Sequence, residues 1–272
     1  MSVVLSVIES HWRGRTALVT GASSGIGRAV AVDLAAGGCH LVLTARRRER
    51  LVDLQRQLER NRSVRVEIVP ADLAVPGEAT RLVGEIHAMG LHIDLLVNNA
   101  GIGVAGRFAS TAWERDHRMV QLNVVSVVEL TKRLLPPMIE RRSGHIVFIG
   151  SVVGYMPVPM LAHYAATKAF VRSFAKALAH ETRDTGVHVT LVSPGTTATE
   201  FFESAGYVKP FTPTGPLVAS AQKVADAALR AAAHSERAVV PGLANWVMAI
   251  GGKVLPSSVV MRFAERVQRR RM

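Results

Sequence analysis

Thr16-Ala17-Leu18-Val19-Thr20-Gly21-Ala22-Ser23-Ser24-Gly25-Ile26-Gly27 sets the architecture of the chain. Its first five residues suit a buried strand, and its glycines break that strand. From Gly25 onward a helical pattern begins. A strand that runs through a glycine-rich turn into a helix makes an anion site. The glycines permit a tight turn and close backbone approach, and the helix N-terminus offers free N–H groups and a positive dipole end to a pyrophosphate. A glycine-rich turn alone is weak evidence; its place between strand and helix gives it weight. The spacing is G-x3-G-x-G rather than the common dinucleotide G-x-G-x2-G, and Gly21, Ser23, Ser24, Gly25, Ile26 and Gly27 are the candidate phosphate-side residues.

Along the rest of the chain, apolar, β-branched runs like that of 16–20 predict further strands at 40–45, 64–69, 93–98, 145–149, 188–193 and 238–240. Helical patterns between them predict helices at 25–36, 48–59, 77–89, 112–140, 161–184 and 219–233. Most of the strands are almost continuously apolar, as strands covered on both faces are. Regular alternation implies right-handed crossovers and an α/β, Rossmann-type doubly wound parallel sheet with helices on both faces. Gly37-Gly38 and Gly186 stand where helices end in a left-handed residue. No repeat or linker interrupts the chain before about residue 242, so one domain is expected over 1–242, with an extension over 243–272. The segment from 200 to about 218 is long for an internal connection and reads as a substrate lid.

The 272 residues are 49% hydrophobic and 20% charged, ordinary for a globular protein, and the net charge is +12. Six Lys or Arg against one Glu fall within 253–272, and a second cluster is Arg46-Arg47-Arg48-Glu49-Arg50. The single cysteine, Cys39, excludes an intramolecular disulfide and reads as a small buried filler. The opening MSVVLSVIESHW has no basic region or cleavage site, so a signal peptide is not expected. No run of 18 apolar residues exists. A cytoplasmic protein is the expectation, and ten histidines without ligand spacing give no reason to expect a metal.

The end of the second strand bears on the choice of dinucleotide. A carboxylate there would bind ribose hydroxyls and repel a 2′-phosphate. This chain reads Leu43-Thr44-Ala45-Arg46-Arg47, and guanidinium groups suit a phosphate by charge and by fork geometry. NADP(H) is therefore expected, with Arg46 and Arg47 at the 2′-phosphate; Arg48 and Arg50 read as surface residues.

Tyr164 and Lys168 are four residues apart on one predicted helix, hence on one face. A phenol titrates near pKa ~10, and a nearby ammonium lowers that value, so the pair can exchange a proton with a substrate oxygen. Such a pair is common on any helix. Ser151, ending the fifth strand, adds a hydroxyl at the carboxyl edge of the sheet, where ligands of this architecture bind. Tyr155 lacks the lysine, having Pro159 four residues on, and His163 reads as structural.

Together these motifs resemble the classical short-chain dehydrogenase/reductase family, from about Arg15 to Gly242. The family's T-G-x3-G-I-G turn is present at Thr20 to Gly27, and its N-N-A-G signature at Asn98-Asn99-Ala100-Gly101. Its helix asparagine falls on Asn123, and its serine, tyrosine and lysine on Ser151, Tyr164 and Lys168. The resemblance implies a seven-stranded parallel sheet. It also implies that Asp72 and Leu73 border the adenine, that Asn99, Ala100 and Gly101 hold the adenosine side, and that Asn123 holds a water linked to Lys168. Pro194, Gly195, Thr197 and Thr199 would border the nicotinamide amide, although the family usually has Val or Ile at the position of Thr197. The T-A-R-R strand end resembles the NADP(H)-using branch. The long helices over 112–140 and 161–184 imply a homodimer or homotetramer.

Carbonyl–alcohol interconversion with NADP(H) is the function expected; a nicotinamide-binding regulatory or scaffold protein without significant turnover is the alternative. Phe201, Phe202, Tyr207, Phe211 and the segment 153–161 suggest a hydrophobic substrate or, equally, packing of the lid. Beyond Gly242, Ser257-Ser258 caps a predicted helix with Val259, Val260, Phe263 and Val267 on one face and Arg262, Arg266, Arg269 and Arg270 on the other. That apolar face either packs on the protein or meets an anionic membrane. Nucleic acid is not expected, because no aromatic stacking surface accompanies the charge.

Overall fold

The computed structural model describes residues 3–60, 64–206 and 218–271. Seven parallel strands form the sheet: β1 (Thr16–Thr20), β2 (His40–Thr44), β3 (Val66–Ile68), β4 (Leu95–Asn98), β5 (Gly144–Ile149), β6 (Val187–Val192) and β7 (Ala238–Val239). Their order is β3-β2-β1-β4-β5-β6-β7. β1 therefore pairs with β2 on one side and β4 on the other, and the chain reverses its winding between them. A crevice opens there at the carboxyl ends of the strands.

Period-two side-chain alternation divides the apolar residues between two cores. Val19, Leu43, Val97 and Val147 face one side, where α2 (Gly25–Ala36), α3 (Arg48–Glu59) and α9 (Ala221–Ala233) cover them. Leu18, Val42, Leu96 and Phe148 face the other, against α4 (Glu78–Ala88), α6 (Ser126–Glu140) and α7 (Ala162–Glu181). The doubly wound, seven-stranded sheet expected from the alternating pattern is thus the fold observed.

Some elements depart from the pattern. The predicted helix over 112–140 is α5 (Trp113–Val120), a π-helical stretch Gln121–Val125, and α6 in unbroken succession. The opening segment is a helix, α1 (Val3–Trp12), whose Ile8 and Trp12 are buried in the first core. Trp12 meets the His145 ring edge-on at 4.6 Å, and burial pushes His145 down to about 3. The described start of the lid segment holds a short helix, α8 (Phe201–Ser204). The region after Gly242 folds as α10 (Leu243–Val254) and α11 (Ser257–Arg271).

Of the helix-ending glycines, Gly38 and Gly186 are left-handed (φ +82° and +79°), whereas Gly37 is not. Gly37 is needed for space: a Cβ there would lie 2.3 Å from Ile8 Cγ2. Gly186 has both constraints, since its Cβ would lie 2.1 Å from the Arg142 carbonyl oxygen. Gly186→Ala is therefore expected to cost at least about 2 kcal/mol, a fall in Tm of roughly 5 °C by thermal melting.

Candidate active site

The carboxyl edge of the sheet lines a cavity of about 440 Å³. Gly21, Ser23, Ser24, Gly25 and Ile26 form one wall, where β1 passes into α2. Ser24 stands at the N-cap of α2 without a side-chain cap bond, so the first N–H groups of the helix lack a side-chain acceptor. Gly27 lies behind the turn. A Cβ there would be 2.4 Å from Asn99 Nδ2 and 2.5 Å from the Gly21 carbonyl oxygen, so only glycine lets the helix start so close to the strand. Asn99 fastens the turn: its Nδ2 donates to the Thr20 carbonyl at 2.8 Å, and its backbone N–H donates to Thr20 Oγ1 at 2.9 Å. Asn99, Ala100 and Gly101 also line the cavity.

At the end of β2, Arg46 is exposed and Arg47 half-buried, both on the cavity. Arg47 Nη2 donates to Ser23 Oγ at 3.2 Å and Ser24 Oγ at 3.0 Å, and Nη1 donates to Glu200 Oε2 at 2.8 Å. Arg50 reaches the other oxygen of Glu200 at 2.5 Å. The two guanidinium groups hold the Glu200 carboxyl below the usual carboxylate range. Glu200, which the sequence pattern does not single out, is thus a carboxylate brought in from the far loop to the basic strand end. Asp72 and Leu73 border the same region. Asp72 accepts from Arg118 Nη2 at 2.8 Å and from the Ala74 N–H at 3.1 Å. Partial burial opposes its ionisation, but those donors outweigh it and hold the carboxyl low.

The deeper part of the cavity collects Ser151, Tyr164 and Lys168. Ser151 follows β5, and its Oγ accepts from the Val153 N–H and donates to the Pro194 carbonyl at 3.5 Å. Tyr164 and Lys168 lie one turn apart on α7, both buried, with the ammonium 5.9 Å from the centre of the phenol ring. Lys168 donates to the Ile149 carbonyl at 2.9 Å, and burial pushes its pKa down to about 8. Pro194, Gly195, Thr197 and Thr199, which follow β6, also line the cavity. Thr197 is buried, its hydroxyl donating to the Gly195 carbonyl at 3.1 Å.

Asn123 is not on the cavity but supports it from within the π-helical stretch, a feature frequent at functional sites. Its Oδ1 accepts from the Ile102 N–H at 3.0 Å. Its Nδ2 donates to the Ile102 carbonyl at 2.9 Å and to Thr167 Oγ1 at 3.1 Å. The amide therefore ties the loop after β4 to α7 beside Lys168. A Cβ on Gly101 would lie 3.2 Å from Asn123 Oδ1 and 3.5 Å from Lys168 Nζ, so the backbone of the loop passes close to both side chains. His163 joins Asp116 at 2.8 Å and is not on the cavity lining. Tyr155 acts elsewhere, its ring lying between Arg172 (4.8 Å) and Lys253 (5.0 Å) and clasping α10 to the turn after β5.

The remaining wall is apolar. Val153, Met156, Val158, Leu161, Phe201 and Phe202 are present, in line with the sequence pattern; Tyr207 and Phe211 lie outside the described residues. A further part of the wall comes from the tail, whose apolar helix face packs in part on the protein: Met248, Val260, Phe263, Ala264, Val267 and Gln268 also line the cavity. The extension over 243–272 is thus not an appendage to the domain; its described part builds one wall of the pocket.

Residues 15–207 match the family model of short chain dehydrogenases. The chain belongs to the short-chain dehydrogenase/reductase family. It is 37% identical over 193 residues to the dehydrogenase/reductase SDR family member 7B of Bos taurus, covering 69% of this chain and 59% of that protein. The chain spans about three fifths of that relative's length. Among solved structures, it resembles a short-chain dehydrogenase from Sphingobium yanoikuyae in complex with NADPH. Identity is 35% and TM-score 0.79, with 87% of this chain and 92% of that chain covered. A 7beta-hydroxysteroid dehydrogenase studied for its stereoselectivity gives a TM-score of 0.83 at 25% identity, over 94% and 98% of the two chains.

Proposed function

We propose that the protein reduces a hydrophobic ketone or aldehyde with NADPH, or runs the reverse oxidation. The observation that carries this reading is the convergence of Ser151, Tyr164 and Lys168 on one cavity with an uncapped helix N-terminus and two arginines. The cavity fits a dinucleotide: Gly21, Ser24 and Gly25 offer the turn for its pyrophosphate, and Arg46 and Arg47 flank a place for its 2′-phosphate. The NADPH of the Sphingobium relative supports this assignment. When bound, the nicotinamide supplies the hydride.

The chain's own residues handle the substrate oxygen. Tyr164 donates the proton, Ser151 offers a hydrogen bond to the carbonyl oxygen, and Lys168 as an ammonium lowers the phenol's pKa and stabilises the phenolate that the transfer leaves. Asn123 positions Lys168 and the loop after β4 through its amide bonds. The apolar wall would exclude water and accept an apolar carbonyl. The outer surfaces of the long helices α5–α6 and α7 are the expected contact of a dimer or tetramer.

The direct test follows NADPH absorbance against a panel of carbonyl compounds of increasing apolar bulk. Turnover that rises with bulk is expected; tight NADPH binding with no turnover on any member would make the protein a binding module instead. Two further outcomes follow from the geometry. Lys168 loses its proton as the pH rises through about 8, so the reductive rate should fall over that range. In Lys168→Met the rate should be low and lack that limb, and an identical pH profile in the variant would remove Lys168 from the mechanism. Glu200→Gln removes a carboxylate that competes for Arg47 and Arg50. NADPH should then bind about 2- to 5-fold tighter by fluorescence titration, the scale of an exposed ion pair, while NADH binding changes little.

A further inference from the structure

The two C-terminal helices leave an unusual amount of apolar surface uncovered. Among the described residues, ten of the seventeen large apolar side chains that stand exposed lie within 243–263. α10 is an apolar helix that buries only Asn245 and Ala249. Leu243, Trp246, Val247, Val254, Val259 and Phe263 are each more than half exposed. Contiguous patches of this kind mark sites of interaction. The face that the sequence pattern assigns to α11 is split: Val260 and Val267 turn inward with Ala264 and Gln268, while Val259 and Phe263 point outward.

Charge decides what can cover this surface. Residues 253–272 contain six Lys or Arg and one Glu, and that Glu265 is already engaged by Arg269 at 2.7 Å. A second copy docking through the same face would bring two strongly basic patches together, with only Glu265 on each side to offset them, a repulsive isologous contact. An anionic lipid surface accepts both features: apolar side chains enter the acyl boundary, and the cations meet headgroups. The helix lengths agree with lying on a bilayer. α10 has 12 residues, about 18 Å of helix against a hydrocarbon core of about 30 Å. Among the described residues no helix is long and apolar enough to cross a membrane. Met248 and Phe263 are exposed yet line the cavity, so the cavity's rim belongs to this same face.

We propose that the α10–α11 face docks the protein on an anionic lipid bilayer, with the rim of the cavity turned toward the lipid. The test is co-sedimentation of the full chain with vesicles of phosphatidylcholine alone and of phosphatidylcholine with about one-third phosphatidylserine. Binding should be confined to the anionic vesicles and fall as salt is raised. Leu243→Ser/Trp246→Ser/Val254→Ser changes only exposed side chains outside the cavity lining, and it should lower the bound fraction at least tenfold with Tm unchanged. Arg262→Glu/Arg266→Glu should do the same through charge alone. In a Trp113→Phe background, whose remaining tryptophans are the buried Trp12 and Trp246, anionic vesicles should shift the emission to the blue. Negligible binding to both vesicle types would overturn the proposal, and so would binding that survives in both variants. A dimer that the triple serine variant dissociates, with no vesicle binding by the native chain, would assign the face to a second copy instead.

Discussion

Tyr164→Phe is expected to lower turnover by about 10³-fold while NADPH binds as before, because the substitution removes one hydroxyl and leaves the ring in place. The phenol is buried on α7 with the ammonium of Lys168 5.9 Å from its ring centre, and its ring packs 5.2 Å from Phe201. Phenylalanine preserves that packing, so a loss of folding is not expected. What disappears is the hydroxyl proposed to hand a proton to the substrate oxygen. The loss should fall on kcat, because the proton is transferred in the transition state and not in the bound ground state. NADPH affinity by fluorescence titration and single-turnover rates separate the two. Turnover within tenfold of the native protein would mean that another group supplies the proton, with Ser151 the next candidate.

Arg46→Asp with Arg47→Ala should reverse the preference between the two nicotinamide cofactors, changing the ratio of kcat/KM for NADPH over NADH by about 10²- to 10³-fold. In the proposed role each guanidinium would contribute charge-assisted hydrogen bonds to a 2′-phosphate, and a carboxylate at the strand end would instead repel it and accept from ribose hydroxyls. Arg47 also bridges Ser23 and Ser24, so its loss alone should loosen the phosphate turn and raise KM for both cofactors. The cofactor ratio is therefore the quantity to read. A ratio unchanged in the double variant would refute 2′-phosphate recognition by these arginines.

The legible part of the site is the part carried by local spacing. The glycine turn, the Asn98-Asn99-Ala100-Gly101 stretch, Ser151 and the Tyr164–Lys168 pair each sit within a few residues of a strand end or on one helix face. Nineteen of the proposed catalytic and cofactor-side residues accordingly line one cavity, while Gly27 and Asn123 stand behind it. The same logic explains the misses. Glu200 reaches Arg47 across 153 residues of chain, and nothing in its neighbourhood marks it as a partner. Asn123 clamps the loop after β4 to α7 through amide bonds to Ile102 and Thr167, partners that its place in the sequence does not reveal. That clamp depends on a π-helical insertion, which has no periodic signature in the sequence.

Strand alternation, helix spacing and glycine's freedom are properties of short segments, so the parallel sheet, the glycine turn and the residues that converge at its edge are all written in residue order. What surrounds them is settled by packing between distant parts of the chain. α1 closes the first core through Ile8 and Trp12, although its apolar stretch is too short to announce itself. α11 presents Val260, Ala264, Val267 and Gln268 to the cavity and leaves the larger Phe263 at the rim. A helix is rotated by the shape of what it packs against, here Val158, Leu161 and Ala165 around Ala264, and not by its hydrophobic pattern alone. That rotation makes a basic tail into one wall of the pocket that holds Tyr164.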